Sequence, residues 1–151
     1  NNKLTFEKSN NDHRVVTFHD SCNVARGSNM GNIEDGQFIL PREVIKAACN
    51  NFIDMPKNTI KSATFCCGGG GGLLTDDLID LRIKGAKPRM HALRKSEQES
   101  GVNTLAAICA ICKSQFSKVL PNYDFDPYMV VSVHQLVSDA IVLKHKLKQK
   151  D

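Results

Sequence analysis

VNTLAAICAICKSQFSKVL, residues 102–120, decides the class of fold. Its first part, VNTLAAIC (102–109), is apolar and predicts a buried strand. Two cysteines at CxxC spacing, Cys109 and Cys112, stand where that strand ends. ICKSQFSKVL then predicts a helix that begins almost at Cys112. A strand that hands over directly to a helix is the repeating unit of an α/β sheet.

The same order recurs on both sides of this stretch. HRVVTFHD (13–20) is β-branched at its centre and predicts a buried strand, followed by Ser21, Cys22 and a polar, glycine-containing loop to residue 40. PREVIKAACNNF (41–52) predicts a helix, with Pro41 suited to its first turn and Val44, Ile45, Ala48 and Phe52 on one apolar face. Cys49 falls on or beside that face and reads as a small core residue. SATFCC (62–67) predicts a short strand that runs into five glycines, Gly68, Gly69, Gly70, Gly71 and Gly72. Thr75 is placed to cap a helix, and Asp76 and Asp77 suit its positive end. That helix is expected over residues 78–98, bent or broken near Gly85 and Pro88. A fourth strand is expected at 128–133 and a last helix from about Leu136. The expectation is an α/β fold: a parallel four-stranded sheet, helices on both faces, and cysteine-bearing loops at the C-terminal edge of the strands. Three strand ends would then carry cysteine and gather five thiols, Cys22, Cys66, Cys67, Cys109 and Cys112, at one edge.

Composition narrows the rest. The 151 residues fit one domain with a real core. A net charge of +4, without an arginine stripe interleaved with aromatics, argues against nucleic acid. The basic end KHKLKQK (144–150) reads as a solvated helix end. Neither a membrane-spanning apolar run nor a signal peptide is recognised. The chain begins at Asn1 in polar sequence, which suggests a piece of a larger polypeptide. The division expected is a flexible N-terminal segment (1–12), a cysteine-bearing domain (13–145) and a flexible basic tail (146–151). A secreted disulfide scaffold suits the six cysteines poorly, because the chain is long enough to need no staples and adjacent cysteines bond only with strain. Thiolate ligands in a reducing compartment suit them better.

Zinc and an iron–sulfur cluster are both open to five thiolates. A structural zinc site wants four ligands in two short pairs, one fewer than this set offers. An iron–sulfur cluster accepts several cysteines more readily, although an ordinary cubane also asks for four. The glycines could form a nest of backbone N–H groups for an anionic group and leave room for a substrate. A phosphate loop fits poorly, since the run ends GGLLT, without the lysine of a P-loop.

HDSCNVARG, PREVIKA, TFCCGGGGGLLTDDL, KGAKPRMHAL and AICAICKSQF together resemble the cysteine-rich CCG domain of heterodisulfide reductase-like proteins. The likeness covers residues 14–142 and is greatest to the C-terminal part of DsrK-type subunits of the sulfite-reduction-associated membrane complex. The family pattern of one cysteine, CCG and CxxC is carried by Cys22, by Cys66, Cys67 and Gly68, and by Cys109 and Cys112, with Cys49 outside it. The resemblance implies that these five cysteines hold a non-cubane 4Fe-4S cluster and that the protein is an oxidoreductase acting on a disulfide-like bond. It further implies a DsrC-like partner carrying a cysteine trisulfide, a membrane quinol-oxidising heme subunit, and a place at the cytoplasmic face of the inner membrane. Some domains of this group carry zinc instead, which leaves an interaction module without its own catalysis as the alternative. His19, Arg26, Arg42 and Lys113 are candidates to favour anionic intermediates from nearby, His19 foremost.

Overall fold

Alternation along the strands divides the interior into two cores. In the computed structural model, which describes residues 4–28, 36–72 and 75–142, β1 (Val16–His19), β2 (Thr104–Ala107) and β3 (Val130–Ser132) form a parallel sheet in that order. Val16 pairs with Thr104, and Leu105 with Val130. Val16, Phe18 and Ala106 face one side, where α1 (Gly36–Ala48) contributes Ile45 and Ala48 and α4 (Val133–Ala140) contributes Val133 and Leu136. Leu105 and Ala107 face the other, against Met90 and Leu93 of α2 (Ile79–Ser100) and Phe116 of α3 (Ala110–Val119). Both faces of the sheet are covered, so even its polar residues Thr17, His19 and Thr104 are buried.

The sheet has three strands among the described residues, not the expected four. SATFCC is not one of them. Lys61–Ala63 makes a 3-10 turn, and the Thr64 N–H closes it on the Lys61 carbonyl. The outer edge of β1 is met instead at one point by residues 51–53: Val16 donates to the Asn51 carbonyl and receives the Ile53 N–H, both at 2.9 Å. The backbone around Thr64 turns to side chains for its partners. The Thr64 hydroxyl donates to the Asp20 carbonyl at 2.8 Å, and Arg26 reaches the Thr64 carbonyl at 3.4 Å. The short β-prone run thus lost to side-chain bonding that its own sequence did not reveal.

Helix limits also differ. α1 begins at Gly36, so Pro41 lies within it rather than at its first turn, and one intrahelical hydrogen bond is forgone. α2 runs unbroken through Gly85 and Pro88 and ends on Gly101, whose φ of +67° forms a left-handed cap with its N–H on the Glu97 carbonyl. Buried Ala86, Met90 and Leu93 on its inner face offset the local cost of glycine and proline. Each remaining strand is shorter than its predicted run, and α4 begins at Val133, capped by the Ser132 hydroxyl, rather than near Leu136. Thr5 and Glu7 exchange backbone hydrogen bonds with Val142 and Ala140, and the buried Asn11 amide donates to the Ala48 and Leu136 carbonyls. The basic tail lies outside the described residues.

Candidate functional site

Two adjacent strands deliver cysteine at their C-terminal ends. β1 leads through Asp20 and Ser21 into a π-helical turn, Cys22–Arg26, where the Ser21 hydroxyl accepts the Val24 N–H at 3.2 Å. β2 leads through Ile108 to Cys109, the N-cap residue of α3, and Cys112 follows in the first turn of that helix. The third contribution, Cys66 and Cys67, arrives on the irregular segment rather than at a strand end. All five nevertheless line one cavity, together with Ser21, Asn23, Gly70, Gly71 and Ile111. Cys66 is exposed at its mouth, Cys22 and Cys109 are half-buried, and Cys67 and Cys112 are buried. None of the cysteines is in a disulfide.

The loop after the paired cysteines is shaped by a close approach. Gly68 has φ +89°, and a Cβ there would lie 2.2 Å from the Arg82 carbonyl oxygen of α2. Its N–H and that of Gly69 donate to the Cys66 and Cys67 sulfurs at 3.2 and 3.4 Å. Gly70 and Gly71 line the cavity and bring no side chain into it. Gly72 closes the turn on the Gly69 carbonyl at 3.0 Å and has Ile111 as its nearest neighbour, at 4.0 Å from a Cβ position.

The crowded thiols perturb one another's ionisation. A hydrogen bond with Cys67, aided by burial, pushes the Cys66 thiol well above its ordinary range. Cys112, with burial behind it, pushes Cys67 up to about 12 against the opposing hydrogen bond from Cys66. Burial also opposes ionisation of Cys109, but N–H groups of Cys112 and Ile111 and the Ser21 hydroxyl outweigh it and lower its pKa. Crowded thiols of this kind keep their protons until a metal replaces them.

His19 points into the same place. It is 1 % exposed and stands edge-on to Phe116 at 4.8 Å. Burial, with the charge of Arg89 added, lowers its pKa well below the ordinary value, so the ring is neutral. Neither ring nitrogen has a hydrogen-bond partner among the described residues. One of its ring nitrogens and the Cys67 and Cys112 sulfurs all lie within 4.8 Å of one another. A buried, unpartnered imidazole beside two thiols fits a site made for a group bound to sulfur.

The other charged candidates are placed differently. Arg42 is buried but committed to Asp20 at 2.7 and 2.8 Å and to Asp54 at 2.9 Å. Burial works against its charge, and the two carboxylates outweigh that and raise its pKa. Among the described residues Arg26 reaches the Ser62 and Thr64 carbonyls, and Lys113 is exposed on α3. Cys49 lies in the core on the opposite face of the sheet, among Val16, Ile45 and Ala48. Replacing Cys49 with alanine is therefore expected to leave the iron content unchanged and to cost about 1 kcal/mol in urea unfolding. Loss of iron in that variant would show that the ligand set is incomplete. Two buried arginines of α2, Arg82 and Arg89, were missed in the sequence. The available signal was their position: seven residues apart, they share a helix face with Ala86 and Leu93.

The cysteine-rich domain family model, CCG, matches residues 16–117. The Hdr-like menaquinol oxidoreductase iron-sulfur subunit 2 of Archaeoglobus fulgidus is 46% identical over 141 residues, covering 93% of this chain and 24% of the relative. The Hdr-like menaquinol oxidoreductase iron-sulfur subunit of Archaeoglobus profundus is 42% identical over the same length and coverage. The chain thus spans about a quarter of the length of the curated relatives it matches. No solved structure matches. No helix among the described residues is long and apolar enough to cross a membrane.

Proposed function

The chain belongs to the cysteine-rich CCG domain family, and we propose that it is the iron–sulfur redox domain of a larger heterodisulfide reductase-like subunit. The observation that carries this reading is the convergence of Cys22, Cys66, Cys67, Cys109 and Cys112 on one cavity from three separate parts of the chain. These five would hold a non-cubane 4Fe-4S cluster, with the backbone of Gly68 to Gly72 around it. Such a group, when bound, supplies one-electron chemistry at sulfur. The N–H groups of Gly68 and Gly69 are already aimed at sulfur and would hold negative charge there. The neutral His19 would donate its ring N–H to sulfur rather than carry a charge. Gly70 and Gly71 leave the mouth beside Cys66 open to an incoming sulfur chain.

The substrate in this reading is the trisulfide of a DsrC-like protein, and the whole subunit would be of the DsrK type, acting in dissimilatory sulfur metabolism. The relatives' names point to menaquinol as the electron source. A membrane quinol-oxidising heme subunit would then be a partner, at the cytoplasmic face of the membrane. The test uses the full-length subunit, reduced with dithionite and mixed with the trisulfide form of a DsrC-like protein. Release of hydrogen sulfide with formation of protein thiols is the expected outcome. A fully iron-loaded subunit that releases none would refute this substrate.

One arrangement favours the second reading, a zinc-bearing interaction module. His19, Cys67 and Cys112 form a compact nitrogen–sulfur group of the kind zinc takes. Protein purified without oxygen would be colourless in that case and brown in the first.

A further inference from the structure

Arg82 and Arg89 bracket the loop that follows the paired cysteines. Seven residues apart on α2, they stand two turns from one another on one face. Between them lie Gly85 and Ala86, and Gly68 rests on that spot. A Cβ on Gly68 would be 3.1 Å from the Ala86 Cβ, and one on Gly85 would be 3.6 Å from the Gly68 Cα.

Both guanidinium groups are buried, with Arg82 3% and Arg89 0% exposed. All their hydrogen-bond partners among the described residues are neutral. Arg82 donates twice to the Gln115 amide oxygen, at 2.8 and 2.6 Å, and once to the Thr75 carbonyl at 3.0 Å. Arg89 donates to the Met55 sulfur and the Thr64 hydroxyl, each at 2.9 Å, and to the Thr59 carbonyl. It also lies over the Phe65 ring, 5.7 Å from its centroid, and its Nε has no partner among the described residues. Thr64 and Phe65 lead directly into Cys66 and Cys67.

A buried cation without a counter-charge costs several kcal/mol. Arg42 shows how this fold treats another buried arginine: two carboxylates meet it. Both oxygens of Asp20 are taken by Arg42, and one also receives the Lys61 N–H, so Asp20 offers Arg89 no direct bond. Asp20 acts on Arg89 only across space, and among the described residues Cys67 is the other group that favours its charge. Arg89 also acts electrostatically on Cys67 and His19.

We propose that Arg82 and Arg89 are the built-in counter-charges of the five-cysteine centre, and that they set its reduction potential. This rests on the iron–sulfur reading above. Addition of one electron from a low-potential reductant makes the centre more negative, with no bond formed or broken in the protein. Two fixed positive charges beside it favour that state and raise the potential.

The test uses anaerobically purified protein and its Arg89→Met, Arg89→Lys and Arg82→Met variants. Iron and sulfide are counted first, then midpoint potentials are measured by dye-mediated titration followed by electron paramagnetic resonance. Wild-type protein without iron and sulfide would end the iron–sulfur reading itself, before any variant is compared. Given wild-type loading, Arg89→Met is expected to lower the reduced-to-oxidised ratio at fixed potential about tenfold, a shift of about 59 mV for a one-electron couple. Arg82→Met should shift it in the same direction, and Arg89→Lys should stay within about threefold of wild type. Unchanged potentials in both Met variants would overturn the proposal and leave the arginines a packing role. If Arg89→Met fails to load while Arg89→Lys loads, the charge is needed to hold the centre, and the proposal stands. If both fail although circular dichroism shows them folded, the guanidinium's shape matters rather than its charge, and the proposal falls.

Discussion

Protein carrying Cys67→Ser is expected to emerge from anaerobic purification nearly free of iron, with less than about a tenth of the wild-type iron and acid-labile sulfide. Cys67 is only 4% exposed and is buried beside Cys112 and His19, within 4.8 Å of their ligating atoms. Serine keeps the volume nearly unchanged but replaces a soft thiolate with a hydroxyl that does not ionise near neutral pH. Packing around Met90 and Phe116 has little reason to change, so circular dichroism should match wild type. Cys66→Ser should lose iron as well, although that residue is exposed and its loss disturbs the core less. Full iron content in both variants would refute the ligand assignment.

Gly68→Ala is expected to be the most damaging change of a single methyl group. The added carbon would meet the Arg82 carbonyl oxygen at 2.2 Å, and neither the helix backbone nor the loop can yield cheaply. Its φ of +89° adds strain for any residue with a Cβ. Destabilisation of about 3 kcal/mol in urea unfolding and loss of the metal are the expected results. Gly71→Ala is the control. Its φ of +71° is also strained, but a Cβ there meets nothing within 4 Å among the described residues. It should cost only about 1 kcal/mol and keep its iron. Equal losses in the two variants would show that the contact with α2 does not position the cysteines.

Much of this site was legible because cysteine chemistry leaves few alternatives. Strand-to-helix handover placed Cys22, Cys109 and Cys112 at one edge, and the structure brings them there with Cys66 and Cys67. The route taken by Cys66 and Cys67 was not legible. Thr64 and Phe65 favour a strand locally, yet the Asp20 carbonyl and the Arg26 and Arg89 side chains supply the segment with partners from elsewhere in the fold. Proline and glycine in α2 misled for a related reason. Gly85 lies where the cysteine loop touches the helix, and its lack of a side chain serves that contact rather than a bend. Charged residues were hardest to rank. Arg42, a candidate in the sequence, is held by Asp20 and Asp54, whereas Arg82 and Arg89, which the sequence did not single out, are buried beside the site. Only the three-dimensional count of partners separates a structural arginine from one that lacks a counter-charge.

The most direct test of the account is the content of iron, zinc and acid-labile sulfide per chain in protein purified without oxygen. About four irons and four sulfides per chain, with no zinc, is the result the five-cysteine centre predicts. About one zinc and no sulfide would contradict it and would make the domain a zinc-bearing interaction module.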